Sequence, residues 1–236
     1  MKLMYVAWGD DLPRRLREDD LHGRLAAAGV RRLQLNLDDD DVAPAMRIAA
    51  GPDHIAAVLS IWTDSDTASD IASDSTRILT EQTGKLAGWE VEERLPISPP
   101  ETAHGERMDA LANIAVLQRP DELARDEWLH RWLVDHTPVA MATQATFGYV
   151  QNIVLRELTE TPRRVDALVE ELFPSAGMID RHAFYGSQGD DQELHDRLDR
   201  LMASVARIGF DHDLDLVPSS RYVYGLDHQR EQQHAQ

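Results

Sequence analysis

Trp128, Leu129, Trp132, Leu133 and His136 recur at spacings of three and four residues, so a helix through them would carry His136 on its apolar face. A neutral imidazole beside an apolar cavity can accept or release a proton near physiological pH, which enolisation, cyclisation and lactone chemistry all require. Pro138, two residues on, lacks a backbone N–H and leaves the carbonyl of Val134 without its helical donor, which reshapes the helix beside the imidazole. The competing reading of His136 is a buried histidine bonded to a backbone carbonyl.

Polar groups in the next apolar runs are candidates to assist it. Tyr149 and Asn152 lie three residues apart in FGYVQNIVL (147–155), so in a regular strand they point to opposite faces. Asn152 shares its face with Gly148, Val150 and Val154, the more apolar set, and is the preferred inward group to hydrogen-bond a carbonyl or enolate, with Tyr149 as the alternative. Glu170 and Glu171 are adjacent in a second apolar run, so alternation sends one to each face. An inward Glu would orient the imidazole or serve as a second acid or base, its pKa raised by desolvation. Trp128 and Trp132 would shape the wall, and Tyr185, Tyr222 and Tyr224 offer rings with a polar tip.

The elements that must position these groups follow from periodicity. Residues 98–107 (SPPETAHGER) interrupt both strand and helix patterning and mark a linker. Before it come a strand (KLMYVAW), a helix over 12–29, strands at 32–37 and 54–62, a helix over 67–86 and a closing strand at 89–97. After it the order returns: strand 109–117, helix 125–144, strands 147–155 and 165–173, helix 192–208 and a strand within 214–224. The expected fold class is therefore α+β, two tandem ferredoxin-like βαββαβ halves at 1–97 and 108–226 that close one intrachain barrel, with a flexible tail over 227–236. Two such sheets can cover each other's edges and apolar faces, and a cavity is expected in the interior or at its mouths.

Composition narrows the function classes. The 42 Asp and Glu against 24 Lys and Arg give a formal charge of -18, which repels nucleic acid and anionic membrane surfaces. No run approaches the roughly 20 apolar residues of a membrane span, and the opening residues lack signal-peptide character, so a cytoplasmic protein is expected. The absence of cysteine removes disulfides, thiolate nucleophiles and cysteine metal sites. The acidic runs at 38–41 and 211–215 lack the glycine and distal glutamate of an EF-hand loop, and no metal is expected.

Residues 113–140 (NIAVLQRPDELARDEWLHRWLVDHTPVA), VDALVEELFP at 165–174, and the closing SVARIGF and VPSSRYVYG together resemble the EthD family of dimeric α+β barrel proteins over roughly 109–226. The resemblance implies a barrel satisfied here within one chain, as a monomer or a higher oligomer of barrels, and a superfamily of cofactor-free cyclases, isomerases, decarboxylases, dehydratases and monooxygenases with some haem proteins. It favours Glu170 as the motif acid and one site per chain, because the first half has no matching W…H-x-P motif. The resulting expectation is a cofactor-independent lyase or isomerase acting on a small apolar carbonyl compound. In it His136 is the acid or base, Glu170 its assistant, and Asn152 or Tyr149 polarises the carbonyl. A non-catalytic carrier of a hydrophobic small molecule is the second expectation, and a haem barrel with His136 as axial ligand the third.

Overall fold

In a computed structural model, residues 1–64, 68–161, 163–210 and 213–227 are described. Eight antiparallel strands form a closed barrel: β1 Lys2–Trp8, β2 Val30–Leu37, β3 Ala57–Thr63, β4 Lys85–Ile97, β5 Leu111–Leu117, β6 Gly148–Glu157, β7 Ala167–Phe173 and β8 Asp215–Gly225. Around the barrel the order is β1-β3-β2-β8-β5-β7-β6-β4. Strands of the first half are contiguous, as are those of the second, and the barrel closes through the β2–β8 and β4–β6 pairs. No sheet edge is left open to another chain, which removes the usual route to strand-mediated aggregation.

The helices lie outside the barrel wall. The expected helix over 12–29 is two helices, α1 Leu12–Arg15 and α2 Asp19–Ala27, because Glu18 takes an extended conformation as the cap of the second. In both, the apolar residues are buried against the outer face of β1, β2 and β3, in one cluster with α3 Ala68–Thr83. On the other side, α4 Arg125–His130 runs into a π-helical turn over Arg131–His136 and then α5 Thr137–Thr143. The widened turn ends one residue before the helix in which Pro138 occupies the first turn, and Thr137 Oγ1 donates to the Trp132 carbonyl at 3.0 Å. A 3-10 turn at Ser175–Met178 and a short α6 Arg181–Tyr185, neither of which the periodicity marks, precede α7 Asp191–Ile208. The linker follows β8 rather than looping away, since Gly105 N–H donates to the Val223 carbonyl and Met108 N–H to that of Arg221. The tail beyond Asp227, Asp211 and His212 lie outside the described residues.

The barrel interior holds an apolar cluster and a polar network. Met4, Val6, Val58, Trp89, Ile114, Val116, Val154, Leu168 and Val217 form one buried cluster drawn from both halves. The remainder of the inward face holds a polar network. Lys2 Nζ donates to Glu93 Oε1 and Asn152 Oδ1, both at 2.7 Å, and burial is the main cause that lowers its pKa. Glu170 Oε1 accepts from Gln34 (2.8 Å), Asn36 (3.0 Å) and Arg221 (3.0 Å). The Lys2–Asn152, Gln34–Glu170 and Asn36–Glu170 bonds tie one half to the other. A buried charge is tolerable only when paired and hydrogen-bonded, and here both conditions are met.

Candidate functional site

Alternation along β7 separates its two glutamates, as the sequence requires. Glu170 points into the barrel and spends its carboxylate on Gln34, Asn36 and Arg221. Glu171 points outward, directly opposite Asn113 on β5 and Tyr149 on β6. Glu171 is half-buried yet densely surrounded, and desolvation alone pushes its carboxyl up to about 7. Among the described residues, no cation or donor is a cause of that shift.

The other predicted residues separate in the same way. Asn152 lies in the lumen, where its amide is already engaged by Lys2 and by the Leu168 carbonyl, to which it donates at 3.0 Å. Tyr149 lies on the outer face beneath the π-helical turn. Gln151 donates to its hydroxyl at 3.3 Å and to Thr137 Oγ1 at 2.8 Å, and burial pushes the phenol up. Trp128 and Trp132 are fully buried, 5.3 Å apart between ring centroids, and both meet Phe210 edge-on at 5.9 Å. They anchor the helix to the barrel wall.

His136 is buried on the side of this helix that faces α7, with Nδ1 2.9 Å from Ser204 Oγ and its ring edge-on to Phe210. Desolvation lowers its pKa to about 4, so the ring is neutral at physiological pH. No carboxylate contributes to that shift, and the structure does not bring His136 together with Glu170, which lies on the opposite side of the barrel wall. Tyr222 is elsewhere again. Its ring stacks under Arg17, 5.2 Å from ring centre to guanidinium, and lines a charged cleft of about 610 Å³ in the first half with Asp38, Asp39, Asp40 and Asp41.

An apolar cavity lies over the outer face of β5, under the 3-10 turn and α6. Its volume is about 320 Å³. Leu111 and Asn113 form its floor, Met178, Phe184 and Tyr185 its sides, and Met46, Ile179 and Arg181 its mouth. Phe184 stacks on Phe173 at 4.0 Å with the planes 19° apart and meets Tyr185 edge-on at 5.0 Å, which makes one wall aromatic. Gly177 keeps the turn close, since a Cβ there would stand 3.3 Å from the Phe184 Cα.

A polar group lines this cavity, and another stands next to two of its lining residues. The side chain of Asn113 is 94 % removed from solvent, and its Oδ1 finds no hydrogen-bond partner among the described residues. Such a group costs about 1–3 kcal/mol unless something enters to satisfy it. Glu171 stands across the ladder from Asn113 and is near enough to Tyr185 to raise its pKa, second to burial among the raising influences. Of the residues singled out by sequence, only Tyr185 lines this cavity. Asn113 escaped notice because nothing in a strand marks an amide as unpaired. Glu171 was weighed only as the alternative to Glu170.

A solved anthrone oxidase-like protein shares this fold. It matches with a TM-score of 0.55 and 13% identity, over 95% of this chain and 92% of that one. Two structures provisionally named as monooxygenases also align, one from Lactobacillus acidophilus (8% identity, 95% of each chain, TM-score 0.44) and one from Fusobacterium nucleatum (9% identity, 94% of this chain and 88% of that one, TM-score 0.44). At these identities the likeness concerns the α+β barrel and not the site. No family model and no curated protein matches the chain. No helix among the described residues is long and apolar enough to cross a membrane.

Proposed function

We propose that the chain is an enzyme that moves a proton to or from the carbon beside a carbonyl in a small, mainly aromatic compound, at the cavity over β5. The observation that carries this reading is the pairing of Glu171 and Asn113: a carboxyl pushed up to about 7 by burial, opposite an amide that lines an apolar cavity and whose N–H can donate to a carbonyl. A catalytic base works best when its pKa lies near the working pH, because its basic and acidic forms are then both populated.

In the proposed step, Glu171 takes the proton from the α-carbon. The electron pair of that C–H bond moves into the C–C bond, and the carbonyl oxygen becomes an enolate oxygen. Asn113 and Arg181 both line the cavity, and in this reading their N–H groups donate to that oxygen. Return of the proton to a different carbon gives an isomer, and departure of a β-substituent gives a lyase reaction. The side chains supply this chemistry, so the reading needs no cofactor. Tyr185 and Phe184 offer the aromatic face on which a planar ring would stack.

The reading places the site in the half that resembles the EthD family, and it treats the chain as two ferredoxin-like units, 1–97 and 108–226, joined by the linker at 98–107 into one barrel with one site. Anthrone, the compound in the name of the structure with the shared fold, is an aromatic ketone that enolises by loss of a ring methylene proton conjugated to its carbonyl, the vinylogous form of the proposed step. His136 serves here as a neutral structural partner of Ser204. The test is proton exchange in D2O, followed by NMR, at the α-carbon of 1-tetralone and at the ring methylene of anthrone, with the wild-type protein. Catalysed exchange that saturates with ketone supports an enzyme; saturable binding without exchange supports a carrier of the same compounds.

A further inference from the structure

Two of the most exposed large apolar side chains, Met46 (67 %) and Ile179 (80 %), stand at the mouth of one cavity. They come from different halves of the chain. Single exposed apolar residues are ordinary on a protein surface, but two that line the same apolar cavity form part of its rim.

The segment that carries Met46 is pinned on both sides. Before it, Val42 and Ala45 are buried with Leu111 and Phe173 of the second half. After it, Arg47 donates to Asp38 and to the carbonyls of Val42, Ala43 and Ala45, and Ile48 forms a two-way backbone bridge with Leu216 of β8. The backbone therefore holds Met46 in place while its side chain stands free. An unbranched thioether side chain adapts its shape to what it covers. The cavity is polar at its floor, at the Asn113 amide, and apolar at its rim, so it suits a ligand with one polar end and a hydrocarbon edge that reaches the mouth.

We infer that Met46 is a specificity-determining gate, through which the first half sets the size of aromatic ketone admitted to the site of the second. The inference rests on the proposed site. Its test uses Met46→Trp and Met46→Ala in the full chain, with acetophenone, 1-tetralone and anthrone as probes and affinities from ligand-observed NMR. The Trp variant should lose about tenfold or more in affinity for anthrone and change less than about twofold for acetophenone. The Ala variant, lacking the covering side chain, should weaken anthrone several-fold and leave acetophenone unchanged. Thermal unfolding of both variants should match the wild type, because Met46 is exposed.

If anthrone and acetophenone shift together, or neither shifts, Met46 is not a gate although the site stands. If the wild type binds none of the three, or Asn113→Leu leaves all three affinities unchanged, the site reading itself fails and the gate falls with it.

Discussion

Asn113 and Glu171 stand directly opposite each other in the β5–β7 ladder, on the outer face of the barrel. The Asn113 Oδ1 has no hydrogen-bond partner among the described residues, and burial is the one influence on the acidity of Glu171. One residue earlier on the same strand, Glu170 is saturated with donors. A single strand thus commits one carboxylate to holding the barrel together and leaves the next without a counter-charge beside a cavity.

Asn113→Leu should separate binding from stability. Removing a buried amide with an unpaired oxygen leaves the folded state unchanged or raises its stability by about 1 kcal/mol. The same change should weaken binding of an aromatic ketone by about tenfold or more, measured by calorimetric titration alongside urea unfolding. A loss of stability of several kcal/mol would show that the amide is structurally engaged.

Glu171 should leave a signature in the pH dependence of stability. Its carboxyl titrates near 4.5 in the unfolded chain and at about 7 in the folded one. Between those values the folded state holds a proton that the unfolded state has released, so stability falls as pH rises through the window. Glu171→Gln removes that slope. It should be more stable than wild type by on the order of 2 kcal/mol at pH 8 and equal to it at pH 4, by urea unfolding at both pH values.

His136 should act in the opposite direction. The imidazole titrates near 6.5 when unfolded and at about 4 when buried beside Ser204. As pH falls from 6.5 to 4 the unfolded state takes up a proton that the folded state refuses, and stability present above 6.5 is lost. His136→Asn should flatten this acid limb by on the order of 2 kcal/mol between pH 7 and pH 4. Unfolding midpoints collected across that range check the slope.

The element order was legible because each strand and most helices carry their own periodicity, and the tandem reading predicted a barrel that closes within one chain. The alternation in β6 and β7 correctly set Tyr149 against Asn152 and Glu170 against Glu171. What alternation could not say was which side of the wall encloses space. Trp89, Leu168 and the Lys2 and Glu170 networks occupy the interior, and the cavity that Asn113 lines lies outside, under α6. That helix is only five residues long, and the preceding 3-10 turn has no apolar period to reveal it. Met46 was invisible for a related reason: its place beside Ile179 depends on Ile48 pairing with Leu216, a contact between distant parts of the chain.

Glu170→Leu should destabilise the barrel without touching the cavity. The change strips the buried Arg221 of its counter-charge and leaves donors on Gln34 and Asn36 unfilled. Breaking one side of a buried ion pair costs roughly 3–5 kcal/mol. Guanidinium unfolding should show that loss. An unchanged midpoint would mean that water reaches the network.

The most direct test of the account compares two variants in one reaction: exchange of the α-protons of 1-tetralone in D2O, followed by NMR. Glu171→Gln should lower the exchange rate by about 10²–10⁴-fold, the usual contribution of a general base, while His136→Asn stays within a few-fold of wild type. Exchange that survives in Glu171→Gln and collapses in a folded His136→Asn would contradict the account and return the chemistry to the histidine.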